Sequence, residues 1–141
     1  MAKWYGNIMN RLEEGKAFAP IQVGTDITMY YWSDRTCYYV TEVISDRYIK
    51  VHPYAICADH SKGGGMGHQD WLYFRTNAER DAYLKPFFPD HTPSQYEPDD
   101  EEWVYRYKSW YRRERTPDGT RYEKLPKVSF GIRNYYYDWE F

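Results

Sequence analysis

Cysteine is scarce in this chain, which also has neither an excess of basic residues nor a long apolar run. Two cysteines among 141 residues are too few for a disulfide scaffold, so free thiols in a cytosolic setting are expected. The formal net charge of -2 argues against non-specific duplex binding by the chain as a whole. No apolar run is long enough to span a bilayer, and residues 1–16 lack the features of a signal peptide.

Catalytic motifs are absent as well. The sequence contains no Gly-x-Ser-x-Gly element, and its Ser, Cys and His residues are too scattered to indicate a triad. The GGGMG stretch at 63–67 lacks the Lys-Ser/Thr pair of a phosphate-binding loop. We interpret it as a flexible loop, or alternatively as a lid whose amides close over an anionic group. We therefore predict that the protein is not an enzyme.

A small set of Cys and His residues offers candidate metal ligands. The set is Cys37, His52, Cys57, His60 and His68. A structural zinc site normally combines two short spacings, and this set contains one, Cys57-x2-His60. We therefore predict no metal and no cofactor, with the two cysteines acting as small apolar residues of the core.

Aromatic residues, by contrast, are abundant. They make up 21% of the chain, with 17 Tyr and 6 Trp. Because Tyr and Trp join an apolar ring to a polar group, they serve both in cores and in recognition surfaces. We expect the surplus to be divided between a core and an exposed binding face.

The central stretch 26–58 carries the clearest pattern of secondary structure. Apolar and aromatic residues alternate with polar ones in three runs, and Ser33-Asp34-Arg35 and Ser45-Asp46 separate these runs. Period-two alternation with short polar turns predicts an antiparallel meander. Pro53 is expected to end the pairing of the third strand or to place it at an edge.

The remaining segments complete a single predicted domain, 1–141. A short helix is predicted at 7–14, and 77–98 is interpreted as an insertion that begins with a helix. Thr76 and Glu79 have the spacing of a capping box at the start of that helix. Residues 101–141 are predicted to form the C-terminal strands, with one strand over 101–111, a turn at 116–119 and a last strand pair over 121–132. The fold class is mainly β: a twisted antiparallel sheet, or a small partly open barrel, with one or two short helices.

Two groups of aromatic and basic residues are candidates for ligand binding. Trp32 and Arg35 stand at the first turn of the meander, where Ser33 and Asp34 are expected to cap the turn through bonds from side chain to backbone. Arg35 is expected to pair with Asp34 or solvent, or else to form the mouth of a ligand groove together with Trp32. The second group can stack bases and neutralise phosphates on one ligand. It comprises Trp103, Tyr105, Arg106, Tyr107, Lys108, Trp110 and Arg112.

An acidic run precedes the second group. Its members are Glu97, Asp99, Asp100, Glu101 and Glu102. Such a run is expected either to form a solvated face or to imitate the phosphates of a nucleic acid toward a partner protein such as a nuclease.

Several segments resemble those of small, uncharacterised proteins of bacteriophages and mobile elements. The similar parts are the run 23–51 with its Trp-Ser-Asp strand end, the EEWVYRYKSWYRR stretch at 101–113 and the aromatic ending 128–141. The resemblance implies a phage accessory protein in the cytoplasm of a bacterial host, and it implies no enzymatic activity. Residues 77–98 lie outside it.

The sequence and this resemblance together lead us to expect a binding protein that counters a host defence by sequestering a nucleotide-type ligand. Two alternatives remain. One is an inhibitor of a protein partner, anti-CRISPR-like or directed at a nuclease, that uses the acidic run. The other is a single-stranded nucleic-acid binder. The expected partner is a host defence protein or its nucleotide signal, with possible homo-oligomers and no membrane association.

Overall fold

The computed structural model describes residues 21–62, 69–94 and 96–137. The helix predicted at 7–14 and the glycine stretch at 63–67 lie outside the described residues. The elements are β1 (Asp26–Tyr30), β2 (Arg35–Ser45), β3 (Tyr48–Pro53), β4 (Ala55–Ala58), β5 (Trp71–Phe74), α1 (Asn77–Leu84), β6 (Glu101–Arg106), β7 (Ser109–Thr116), β8 (Gly119–Lys124) and β9 (Val128–Phe130), with one 3-10 turn at His60–Lys62.

Seven strands form one antiparallel sheet in the order β8-β7-β6-β3-β2-β1-β9, and β4 and β5 pair separately. The predicted meander is confirmed as β1, β2 and β3, and the mainly β fold class is confirmed with it. Over the residues that the structure describes, the sheet does not close into a barrel, but it curls strongly. Its curvature brings Trp110 of β7 within 5.5 Å of the Phe130 ring of the edge strand β9.

The curled sheet has an inner and an outer face, and each face carries a core. The inner core contains Ile27, Met29, Tyr38, Val40, Ile49, Val51, Trp103 and Leu125. The outer core contains Cys37, Tyr39 and Tyr54, with Ile56, Tyr73 and Tyr135 packed against it. Because successive side chains of a strand point to opposite faces, β2 supplies both cores with neighbouring residues.

The helix α1 lies where the capping box predicts it. Thr76 Oγ1 accepts a hydrogen bond from Glu79 N (3.1 Å), and Glu79 Oε1 accepts one from Arg75 N (3.1 Å). The helix rests on the β4–β5 pair, with the Tyr83 ring 5.6 Å from that of Phe74. Among the residues that the structure describes, no helix has the length and the apolar character needed to cross a membrane.

Two details of the strand prediction were wrong. The single strand expected over 101–111 is a hairpin, because the chain turns at Tyr107 and Lys108. The strand pair expected over 121–132 does not form, since β8 pairs with β7 and β9 pairs with β1. Between β8 and β9 the chain enters the inner core at Leu125. This burial carries the chain away from the β8 edge of the sheet. Pro53 does end β3, yet that strand is central rather than at an edge.

Candidate functional site

A groove of about 270 Å³ lies at the turn between β1 and β2. Its volume is near the lower end of the range usual for small-molecule sites, roughly 300–1,000 Å³. We call it the turn groove, and it is lined by Tyr30, Tyr31, Trp32, Ser33, Asp34, Arg35 and Tyr136. The turn closes through a hydrogen bond from Tyr31 N to Asp34 O (2.8 Å), which fixes the intervening residues at the rim.

The indole of Trp32 projects from this rim into solvent. The residue is 99% exposed, whereas Trp103 is 0% exposed. An exposed Trp has a large apolar surface that the fold does not use, and such a ring is suited to stack on a planar ligand. Tyr31 beside it is 48% exposed. Burial raises the pKa of the Tyr31 hydroxyl, which lies close enough to Arg112, Glu101 and Glu123 for their charges to act on it.

The C-terminal segment holds Arg35 in place in the lining of the groove. Arg35 N donates to Tyr136 O (2.9 Å), and Tyr136 N donates to Arg35 O (3.3 Å). The guanidinium lies 5.0 Å from the centroid of the Tyr136 ring. A second cation, the Lys127 ammonium, lies 5.9 Å from the Tyr30 ring. Lys127 is not part of the groove lining, so the groove combines an exposed indole with the guanidinium of Arg35 and the carboxylate of Asp34.

The second predicted group divides between the two faces of the sheet. Trp103 packs edge-on against Tyr38 with ring centroids 5.0 Å apart, and its Nε1 donates to Glu101 Oε1 (2.9 Å). Tyr105 and Trp110 form a ring pair at 5.3 Å on the same inner side. These three aromatic residues therefore belong to the core side of the hairpin.

Arg112 also points to the inner side, where two carboxylates engage it. Its Nε donates to Glu101 Oε1 (2.8 Å), and its Nη1 donates to Glu123 Oε1 (2.8 Å). Although burial opposes the charge of the guanidinium, these carboxylates raise its pKa. Arg112 thus cross-links β6, β7 and β8 rather than projecting from the surface.

Arg106, Tyr107 and Lys108 lie apart from them at the tip of the β6–β7 hairpin. The Arg106 guanidinium lies 4.4 Å from the Tyr122 ring centroid and 4.9 Å from that of Tyr107. Tyr107 is 77% exposed. Tyr107 and Lys108 have φ values of 53° and 61°, both in the left-handed region. That conformation costs a non-glycine residue roughly 1–2 kcal/mol.

The acidic run does not form one continuous acidic surface. Glu97 accepts hydrogen bonds from Asn77 N and Ala78 N at the start of α1 (both 2.9 Å). Asp100 Oδ1 lies 2.9 Å from His52 Nδ1, and its Oδ2 accepts from Thr41 Oγ1 (2.8 Å).

The two glutamates of the run that belong to β6 point to opposite faces of the sheet. Glu101 binds Arg112 on the inner face, as described above. Glu102 on the outer face accepts a hydrogen bond from Tyr48 Oη (2.8 Å). This hydrogen bond, together with Arg115 and Arg113, lowers the pKa of Glu102. Asp99 is exposed. Four of the five carboxylates thus have partners within the chain.

Within the described residues, no three Cys, His, Asp or Glu side chains are grouped as metal ligands. The His60 ring packs against Phe87 and Phe88, at 5.5 and 5.0 Å. Cys37 is buried in the outer core and Cys57 is half-buried in β4. His68 lies outside the described residues.

The sequence reasoning missed two aromatic residues that the fold brings to these sites. Tyr136 forms a wall of the turn groove, although about a hundred residues separate it from Arg35, and no local pattern predicts that contact. Tyr122 supports Arg106 from β8, which lies two strands away in the sheet. Its position opposite Arg113 in the β7–β8 register follows from the turn at 116–119, which the sequence does indicate.

Comparison with protein-family models, with curated proteins and with solved structures finds no match to this chain. The geometry of the sites is therefore the basis for the function inferred below.

Proposed function

We propose that the protein is a non-catalytic binding module that takes a nucleotide-type ligand in the turn groove. The observation that carries the proposal is the pairing of a fully exposed Trp32 with a positioned Arg35 across one groove. A nucleobase presents a planar face to the indole, and a phosphate accepts hydrogen bonds from the guanidinium.

The position of Arg35 supports an anionic ligand. Its backbone N–H and C=O groups both form hydrogen bonds with the backbone of Tyr136, and its guanidinium stacks on the Tyr136 ring. A side chain that is already ordered loses little conformational freedom on binding, which favours affinity. The modest size of the groove fits a single nucleotide unit rather than a long polymer.

We extend the proposal to the biological setting that the resemblance implies. A phage protein that holds a nucleotide signal would counter a host defence in the bacterial cytoplasm without a chemical reaction. The alternative of an inhibitor acting through Glu97, Asp99, Asp100, Glu101 and Glu102 has less support. Most of these carboxylates are engaged within the chain, so an approaching partner meets few unpaired charges.

Titration with AMP, followed by tryptophan fluorescence, tests the proposal. Stacking on Trp32 should quench its emission in a saturable manner. Trp32→Ala should weaken AMP binding roughly ten- to hundredfold, because one base stack is worth about 1–3 kcal/mol; calorimetry measures this loss, since the reporter is removed. Arg35→Gln should abolish the preference for AMP over adenosine while keeping the backbone bonds to Tyr136.

The matched control is Tyr96→Ala, which removes an aromatic ring that is 68% exposed and lies outside the groove. This variant should bind AMP as the unaltered protein does. Absence of saturable AMP binding, or equal binding by the Trp32→Ala variant, would show that the groove is not a nucleotide site.

A further inference from the structure

The outer face of β6, β7 and β8 carries an unusual concentration of basic and aromatic side chains. Strand register assigns their directions, because residues paired across antiparallel strands share a face. The outward positions, together with the tip residue Tyr107, include Arg106, Tyr111, Arg113, Arg115, Tyr122 and Lys124. We call this surface the basic face.

Positive charge predominates on the basic face although the whole chain has a net charge of -2. At the outward positions of these three strands, all of which the structure describes, Glu102 is the only acid. Arg113 Nε lies 3.8 Å from its Oε1, and Arg115 Nη2 lies 3.6 Å from the same atom. One carboxylate shared by two guanidinium groups leaves a local excess of positive charge for an anionic partner.

Exposed aromatic rings accompany these cations. Tyr107 is 77% exposed and Tyr122 is 41% exposed. Their rings flank the guanidinium of Arg106, and Tyr107 also meets Tyr111 edge-on at 6.3 Å. The tip that presents Tyr107 holds two non-glycine residues in left-handed conformations. Backbone outliers of this kind concentrate at functional sites.

We propose that the basic face binds single-stranded nucleic acid. Its tyrosine rings stack on bases, and its arginines contact the phosphates between them. Accessible aromatic rings distinguish this surface from a site for an acidic peptide, which needs cations alone. They also favour a single strand over a duplex, whose bases are already stacked and paired.

The basic face is a site separate from the turn groove. Tyr30 pairs with Arg35 at the groove end of the sheet, whereas Ser45 pairs with Tyr48 at the other end. Tyr48 pairs in turn with Val104, beside the hairpin tip. The tip and the groove therefore lie at opposite ends of the strands.

The test uses a fluorescein-labelled short oligothymidine, with anisotropy measured over a series of salt concentrations. Tyr107→Ala and Arg106→Ala should each weaken binding roughly tenfold or more. Tyr107→Phe should retain affinity because it keeps the ring. Arg106→Ala should also reduce the slope of log affinity against log salt concentration by about the amount that one phosphate contact contributes. Tyr96→Ala and Lys85→Ala, which alter exposed residues elsewhere, serve as controls and should bind normally.

Two competitors and one further variant complete the design. A duplex of the same length and a polyglutamate peptide should compete poorly. Equal competition by polyglutamate would assign the face to acidic proteins and overturn the proposal. Trp32→Ala should leave oligothymidine binding unchanged. If it abolished binding while Tyr107→Ala had no effect, the oligonucleotide would bind in the turn groove, and the basic-face proposal alone would fail.

Discussion

At the residue scale, the aromatic surplus serves two purposes that composition does not distinguish. Buried tyrosines keep their hydroxyl groups bonded: Tyr39 Oη donates to Arg75 O (2.9 Å), and Tyr54 Oη donates to Asp26 Oδ1. A buried polar group that lacks a partner would be costly, so such rings need acceptors placed by the fold. Trp32 and Tyr107, in contrast, project into solvent. Exposure rather than residue type therefore identifies the candidate binding residues.

The difference between Trp103 and Trp32 gives a prediction of stability. Trp103→Ala removes a fully buried side chain from the inner core and a hydrogen-bond donor from Glu101, so the free energy of unfolding should fall by about 3–5 kcal/mol. Trp32→Ala should change it by no more than about 0.5 kcal/mol. Urea denaturation of both variants checks this, and similar losses for the two would contradict the assigned burial.

At the element scale, the strands with local signals were predictable. Alternation with polar turns indicated β1, β2 and β3, Thr76 and Glu79 marked the start of α1, and the Thr116–Gly119 turn indicated the β7–β8 hairpin. All of these signals act over a few residues. The turn at 107–108 carries no Asn or Gly, so the sequence conceals it. The separation of β8 from β9 follows from the burial of Leu125, which is a property of the assembled sheet.

The candidate sites show the same division. Trp32 and Arg35 could be chosen from the sequence because both belong to one turn. The division of the 103–112 group into core and surface residues could not be predicted, since the concealed turn sets which residues share a face. The acidic run is interpreted as a surface because a run of charges usually forms a solvated face, and its partners are too distant in sequence to be inferred. Glu97, for example, binds backbone amides twenty residues earlier, at the start of α1.

The strained hairpin tip leads to a second prediction. Tyr107→Asn combined with Lys108→Gly supplies the residues that a two-residue left-handed turn prefers. Relief of the strain at both positions stabilises the variant, and loss of the Arg106–Tyr107 ring contact destabilises it. The net free energy of unfolding should rise by about 1 kcal/mol. The basic face should at the same time lose affinity for oligothymidine, because the exposed ring is gone.

The matched control for this variant is Tyr107→Asn combined with Lys108→Ala. It makes the same change at position 107 but keeps a side chain on the left-handed backbone of position 108. Urea denaturation should find it less stable than the Asn-Gly variant. Equal stability of the two would mean that the turn does not adopt the left-handed geometry.

At the scale of the whole molecule, the sheet is built around its middle strands. The strands β2 and β3 have hydrogen-bonded neighbours on both sides, and their residues contribute to the inner core. The edge strand β8 has one neighbour, and all six of its residues are exposed. Its charged residues Arg121, Glu123 and Lys124 are typical of an edge that resists pairing with other chains. Stability should therefore decline from the centre of the sheet toward β8.

Hydrogen exchange followed by mass spectrometry tests this gradient with two strands of equal length. Strands β3 (Tyr48–Pro53) and β8 (Gly119–Lys124) have six residues each. Amides of β8 that face the open edge have no strand partner in the described part of the chain, and those bonded to β7 are released by local fraying. The amides of β3 exchange only when the sheet opens around the inner core. Peptides from β8 should thus exchange their amide hydrogens far faster than peptides from β3. Both are measured in the same sample, so the comparison is internal. Equal protection of the two would mean that another strand or a second chain covers the β8 edge, so that β8 is not an open edge of the sheet.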